Sequence, residues 1–130
     1  MSQSEQAKPI AIVTGGAGFI GSHATDLLLA RGYHVRVIDD LSGGNLGNIS
    51  HHKGNPDFEF YNEDIRSLVP GNDIFKGAER VLHFAGIGDI VPSIERPLDY
   101  MSVNVMGTVQ VLECAKHESV KKLVYAASAS

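Results

Sequence analysis

The strongest chemical signal in the chain is Thr14-Gly15-Gly16-Ala17-Gly18-Phe19-Ile20-Gly21. Its glycines fit Gly-x-Gly-x-x-Gly from Gly16, and Gly-x-x-Gly-x-x-Gly from Gly15. The apolar run before them and the helical pattern after them place the glycines at a strand-to-helix turn. Such a turn suits a pyrophosphate. Gly15 and Gly16 reach dihedrals closed to other residues. Gly18 has no Cβ to hold a phosphate off the backbone, and Gly21 lets the helix lie close on the sheet. The first N–H groups of the helix then face the anion. No Gly-Lys-Ser/Thr ending follows, which argues against a triphosphate loop. A flexible turn with no ligand has the same glycines, so the neighbouring elements must decide.

A second chemical group stands 18 residues after Gly21, at Asp39-Asp40. It ends the apolar run 33–38, the second strand. A carboxylate there bridges the ribose hydroxyls of an adenosine and repels a 2′-phosphate. Either acid suits; the strand end favours Asp39, and a plain turn residue is the alternative. Asp64 ends a third strand, 57–61, and is placed to touch an adenine ring, with Ile65 packing on its face. The fourth strand, 80–86, ends in Phe84-Ala85-Gly86, whose last two side chains are small enough for a dinucleotide to pass over the sheet edge.

The elements that must position these groups alternate. Residues 10–14 read as the first strand. A helix over 20–31 follows, with Ile20, Ala24, Leu27 and Leu28 on one face and a stop at Gly32. Residues 41–56 are rich in Gly, Asn and His and read as a loop over the adenosine. A helix over 67–76 carries Leu68, Val69, Ile74 and Phe75, although Pro70 and Gly71 disturb it. A helix over 100–117 repeats Val103, Val105, Val109, Leu112 and Ala115 and holds the polar Asn104. Residues 121–127 form the fifth strand. The alternation predicts an α/β fold, a doubly wound parallel sheet of order 3-2-1-4-5.

Bulk properties narrow the partners. The 130 residues bound one domain, 10–130, behind a polar arm over 1–9. A net charge of -4 and the lack of a basic run argue against a nucleic-acid partner. No apolar run is long enough to span a membrane, and a cytoplasmic protein is expected. Cys114 is the single cysteine and reads as a small buried helix residue. For His51-His52 no Cys or acidic residue stands at ligand spacing, so no metal site is expected and solvated loop histidines are. A chain that stops at a strand tip, where α/β sheets do their chemistry, is expected to be part of a longer protein.

Thr14-Gly-Gly-Ala-Gly-Phe-Ile-Gly-Ser-His23, Asp39-Asp-Leu-Ser42, Asp64-Ile65-Arg66, His83-Phe-Ala-Gly86, Asn104-x-x-Gly107-Thr108 and Ala127-Ser128-Ala129-Ser130 together resemble the extended short-chain dehydrogenase/reductase family. More narrowly, they are similar to its nucleotide-sugar 4-epimerases of the UDP-glucose and UDP-N-acetylglucosamine type. The resemblance covers nearly the whole chain. It implies a Rossmann-type domain that binds NAD. Gly15, Gly18, Phe19, Ile20 and Gly21 would line the pyrophosphate site, with Asp39 or Asp40 on the ribose. Asp64 and Ile65 would hold the adenine; Phe84, Ala85 and Gly86 would line the groove, and Asn104 would organise the region below the nicotinamide. Ser128 matches the family's catalytic serine, which hydrogen-bonds the sugar hydroxyl being oxidised, and Ser93 looks like a sugar-side contact. A UDP-hexose substrate and a homodimer through the helix holding Asn104 are also implied.

The implied reaction oxidises the sugar at C4 and returns hydride to the other face of a 4-keto sugar. The family's base, a tyrosine with a lysine four residues on, lies beyond the serine. Tyr125 precedes Ser128 and is not that residue, so these 130 residues alone should not turn over substrate. Family dehydratases place Asp-Glu where Ala129-Ser130 stand, and decarboxylases a glutamate at Ser130, which points away from both. The best-known galactose-type epimerases carry a lysine at the place of Gly88. A 4-keto-sugar reductase, another NAD-dependent sugar-modifying enzyme and a non-catalytic nucleotide-binding domain remain the alternatives.

Overall fold

The structure, a computed structural model, describes residues 8–86 and 94–126. Five parallel strands form one sheet in the order β3-β2-β1-β4-β5, as the alternation predicts. They are β1 (Ile10–Thr14), β2 (His34–Ile38), β3 (Phe58–Tyr61), β4 (Ala78–His83) and β5 (Lys122–Tyr125). Between them lie α1 (Phe19–Ala30), α2 (Pro97–Met101) and α3 (Gly107–His117). Neighbouring side chains on a strand point to opposite faces, and the core divides accordingly. Val13, Val35 and Val37 lie with Ala17, Ile49 and the α1 residues Leu28 and Leu29. Ile12, Ile38 and Val81 lie with Phe75 and the α3 residues Val111, Cys114 and Ala115. Both faces of the central strands are therefore buried, as a doubly wound sheet requires.

Four sequence expectations change. The segment 67–76 is not a helix. A single 3₁₀ turn, Ile65–Ser67, precedes hydrogen-bonded turns. Gly71 sits at φ +87, and the Asn72 side chain accepts from Phe75 N, so local bonds replace the helical ladder. Leu68, Ile74 and Phe75 are nonetheless buried; the segment is core without being helical. The fourth strand ends at His83, and Phe84–Gly86 form its tip.

The other two changes concern helix faces. On α1 the buried residues are Gly21, Ser22 and Thr25, whereas Ile20 and Leu27 are exposed. Gly21 decides this rotation: a Cβ there would collide with the Gly15 carbonyl oxygen. The helix can approach the sheet only with Gly21 inward, and Ser22 and Thr25 follow it. Thr25 Oγ1 is satisfied by donating to the Gly21 carbonyl at 2.8 Å. On α3 the buried residues are Gly107, Val111, Cys114 and Ala115, while Val109 and Leu112, and Val105 just before the helix, are exposed. A Cβ on Gly107 would overlap Ile65, so this helix too is turned by a glycine. The helical stretch expected over 100–117 begins instead at Pro97, and a π-helical turn, Ser102–Met106, joins α2 to α3.

Cys114 is fully buried, as read, and burial pushes its thiol pKa up. Lys8 and Pro9, read as arm, are tied to the domain. Lys8 pairs with Asp57 at 2.5 Å, and the Pro9 carbonyl accepts from His34 N at 2.9 Å.

Candidate functional site

The carboxyl ends of β1, β2, β3 and β4 open onto a cleft of about 680 Å³, a size that suits a small-molecule ligand. Its floor is the glycine turn. Gly15 sits at φ +71, and a Cβ there would lie 2.7 Å from Ala85 N. Only glycine lets the turn fold back onto the β4 tip. At Gly18 a Cβ would come within 3.3 Å of the Gly15 carbonyl oxygen, a tight contact that glycine avoids, and Gly18 borders the cleft. Gly18 is also the N-cap of α1 and, having no side chain, caps nothing; no acidic residue follows in the first turn. The helix thus begins with uncompensated N–H groups at Phe19, Ile20 and Gly21, all of which line the cleft. Such an end favours an anion.

Asp39 stands opposite. Its carboxylate is buried, and Oδ2 accepts from Ala17 N at 2.9 Å while Oδ1 accepts from Leu41 N at 2.8 Å. The two bonds fix the carboxylate against the turn and leave further lone pairs on both oxygens. Asp40 is exposed, and its Oδ1 accepts from Ser42 N and Ser42 Oγ. Both acids line the cleft, but Asp39 is the one held by the glycine turn. The following loop closes over it. Asn45 N and Asn48 Nδ2 both donate to the Ala17 carbonyl, at 2.9 and 2.8 Å. A Cβ on Gly44 would lie 2.8 Å from Asp39 Oδ2.

Past the tip of β3, Asp64 caps the 3₁₀ turn by accepting from Arg66 N, and it pairs with the Arg66 guanidinium at 2.6 Å. Those Arg66 hydrogen bonds, outweighing its burial, hold the Asp64 pKa below the usual carboxylate value. Arg66 reaches on to Ser102 Oγ at 3.2 Å and Asp99 at 3.4 Å, tying this corner to the helix. Ile65 is buried and borders the cleft. Of the expected cofactor residues, Gly15, Gly18, Phe19, Ile20, Gly21, Asp39, Asp40, Asp64, Ile65, Phe84, Ala85 and Gly86 all line this one cleft. Asn104 stands beside it in the π-helical turn, where a Cβ on Gly86 would come 3.0 Å from Asn104 Oδ1. Ser93 and Ser128, the expected sugar-side residues, lie outside the described residues, as do Gly88, Ala129 and Ser130.

Sequence reasoning missed what lies beneath the cleft. His83 is 1% exposed, and burial pushes its pKa down to about 4, so the ring is neutral. Phe84 N and Ala85 N both donate to Thr14 Oγ1, each at 3.1 Å. The Thr14 proton is then free to go to His83 Nδ1 at 2.5 Å. That fixes the Nε2–H tautomer, which donates to Thr108 Oγ1 at 2.9 Å; Thr108 in turn donates to the Asn104 carbonyl at 2.7 Å. The chain of bonds links the end of β1, the tip of β4 and the π-helical turn, where the helical ladder is rearranged. A buried neutral imidazole with both nitrogens engaged is a positioning group rather than a base. Its only signal in the sequence is a histidine closing an apolar strand, which a core residue would also give.

The chain is similar to known proteins in sequence and in fold. The human UDP-glucose 4-epimerase is 39% identical over 130 residues, covering 92% of this chain and 37% of the human protein. A UDP-N-acetylglucosamine 4-epimerase from Methanobrevibacter ruminantium superposes with a TM-score of 0.84 at 28% identity, over 95% of this chain and 39% of that one. A Thermus thermophilus UDP-glucose 4-epimerase solved with NAD gives a TM-score of 0.75 at 32% identity, over 92% and 37%. The chain thus spans well under half the length of each of these relatives. The match begins in the first strand and takes in every element that builds the cleft: with residues 11–130 matching the NAD dependent epimerase/dehydratase family, the chain belongs to that family.

Proposed function

We propose that this chain is the NAD-binding part of a nucleotide-sugar 4-epimerase with a UDP-hexose substrate. The observation that carries the reading is the pairing of Asp39 with the uncapped start of α1 across one cleft. One side offers N–H donors to a pyrophosphate, and the other offers a fixed carboxylate to a ribose diol. The residues present therefore fit a dinucleotide without a 2′-phosphate. When bound, NAD supplies a hydride acceptor that can also return the hydride. The chain's own residues orient and shelter that exchange. Ala85 and Gly86 keep the sheet edge low, and the Thr14–His83–Thr108 chain holds the β4 tip and the helix holding Asn104 in register. Ser128, just past β5, is assigned to the sugar hydroxyl. A serine both donates and accepts, so it can follow that oxygen from alcohol to ketone without changing charge. Ser93 is assigned to the sugar side.

A homodimer is part of the same proposal. Leu98, Met101, Val105, Val109 and Leu112 are exposed along α2, the π-helical turn and α3, at the three- and four-residue spacing of one helix face. A second copy is the occupant that this reading puts there. A cytoplasmic protein with a role in carbohydrate biosynthesis is the setting this reading implies.

The test uses the whole protein and a UDP-hexose deuterated at C4. An epimerase returns the label to C4 of the product. Loss of the label, or stoichiometric consumption of reduced cofactor, would replace the reading with a reductase.

A further inference from the structure

His51 and His52 meet an acidic partner that their sequence spacing hides. Asp26, in the middle of α1, accepts from His51 Nε2 at 2.9 Å and His52 Nε2 at 2.5 Å, both on Oδ1. The two imidazole nitrogens and the carboxylate oxygen lie within 4.8 Å of one another. Among the described residues no other group of three metal-binding side chains converges in this way.

We propose that Asp26, His51 and His52 form a binding site for a divalent first-row transition ion of the Zn²⁺ class. Two imidazoles and one carboxylate are a donor set that Zn²⁺, Co²⁺ and Ni²⁺ accept. Both rings aim Nε2 at one point. Once those nitrogens carry lone pairs instead of protons, with the ring protons moved to Nδ1, three donors converge there. A tetrahedral shell with bonds of about 2.05 Å needs ligand atoms about 3.3 Å apart. The carboxylate-to-nitrogen separations of 2.9 and 2.5 Å open to that spacing by less than about 1 Å, and the two nitrogens, within 4.8 Å of each other, close by no more than about 1.5 Å, shared between two side chains that can rotate.

The histidines are held for this task. Ile49, 3% exposed, buries the loop in the core beside Val13 and Ala17. Two 3₁₀ turns, Leu46–Asn48 and Ser50–His52, then set the backbone. His52 packs on Phe58 with ring centroids 5.2 Å apart and is the least exposed of the three ligands, at 12%. His51 and Asp26 are about half exposed, so a metal enters directly and keeps a water in its fourth position. The charges also agree: the ion's positive charge stands against the Asp26 carboxylate, and two neutral rings with centroids 3.9 Å apart complete the donor set. The ion would clip α1 to the loop over the cleft, a stabilising role separate from the cofactor site.

The experiment is a Co²⁺ and Zn²⁺ titration of the untagged full chain by calorimetry and visible absorption, with thermal unfolding alongside. The expected result is one ion per chain, a tetrahedral Co²⁺ spectrum displaced by Zn²⁺, and a rise in unfolding temperature with Zn²⁺. Asp26→Asn and His52→Ala should each weaken binding by about tenfold or more and remove the thermal shift. His117→Gln, outside the cluster, should change neither. Circular dichroism shows that each variant is folded before it is titrated, and His51→Gln, at the most exposed ligand, serves if another fails. Absence of stoichiometric binding to the unaltered chain, or affinity unchanged by these substitutions, would overturn the site.

Discussion

The centre of the sheet and its β5 edge obey different rules. In the β1–α1–β2 unit the glycine turn is tied down by Gly15 N to the Ile38 carbonyl, Gly18 N to the Gly15 carbonyl and Ala17 N to Asp39, and Val13, Ala17, Val35 and Val37 are fully buried. At the β5 end, Val124 and Tyr125 are about half exposed, as are Met101, Val105, Val109 and Leu112 on the neighbouring helix. Both regions are apolar in sequence. The difference teaches that apolar periodicity marks a face that wants cover, while close backbone approach decides which face is covered within this chain. Gly21 and Gly107 set that choice on α1 and α3.

The sharpest way to break this comparison is at Gly21. Gly21→Val should cost about 3 kcal/mol or more, because the new side chain meets the backbone of Gly15 and Gly16 and must be relieved by moving the helix. Urea unfolding measures this. A loss under about 1 kcal/mol would mean that the helix rotation is set elsewhere.

Next in size is the effect of His83. Its folded pKa, about 4, lies below the unfolded value near 6.5. Between these values the unfolded chain binds a proton that the folded chain does not. Stability is therefore full above about pH 6.5 and falls as pH drops towards 4, by roughly 3 kcal/mol at most. In His83→Asn the difference in unfolding free energy between pH 7 and pH 4.5 should be smaller than in the unaltered chain by a large part of that amount. An unchanged difference would contradict the buried neutral ring.

The two faces of α3 give a smaller contrast. Val111→Ala should cost about 1–2.5 kcal/mol, since Val111 is fully buried. Leu112→Ser, one residue on and about half exposed, should stay within about 0.5 kcal/mol. In the whole protein the same Leu112→Ser should weaken self-association, read by analytical ultracentrifugation.

Smallest is the effect of Glu59 at the β2–β3 edge. Burial raises its pKa, but hydrogen bonds from Tyr61, His34 and Arg36 outweigh that and hold it at about 2. A depressed carboxylate contributes stability above its unfolded pKa, which is lost as pH falls from about 4.5 towards 2. Glu59→Gln should flatten that part of the acid-unfolding curve slightly, the side chain being more than a third exposed.

The sheet was legible in sequence because each strand is a short stretch carrying apolar residues between turn residues, continuous in β1 and alternating with polar residues in β2 and β3. The cleft was legible for a related reason: its residues sit at strand tips, at positions fixed once the strands are. Less legible were the features set by contact across the chain. The turns over 67–76 follow from Asn72 bonding to the backbone and from Gly71 at positive φ, and neither alters the apolar count that suggested a helix. The π-helical turn at Ser102–Met106 has no residue signature. Asp26 is 25 residues before His51, and only the packing of the 46–52 turns on α1 brings them together. Strand end alone favours Asp39 over Asp40 in the sequence; that Asp39 is the acid bonded to Ala17 N depends on the turn's fold.

The most direct test of the central claim is a calorimetric titration of this chain with NAD⁺ and NADP⁺, repeated with Asp39→Ala. With Asp39 fixed against the glycine turn and open to a ribose diol, NAD⁺ should bind at least about tenfold tighter than NADP⁺. Asp39→Ala should weaken NAD⁺ by about 1.5–3 kcal/mol, the scale of a lost hydrogen bond to a charged group, and narrow the preference. Equal affinity for the two dinucleotides in the unaltered chain would contradict the account.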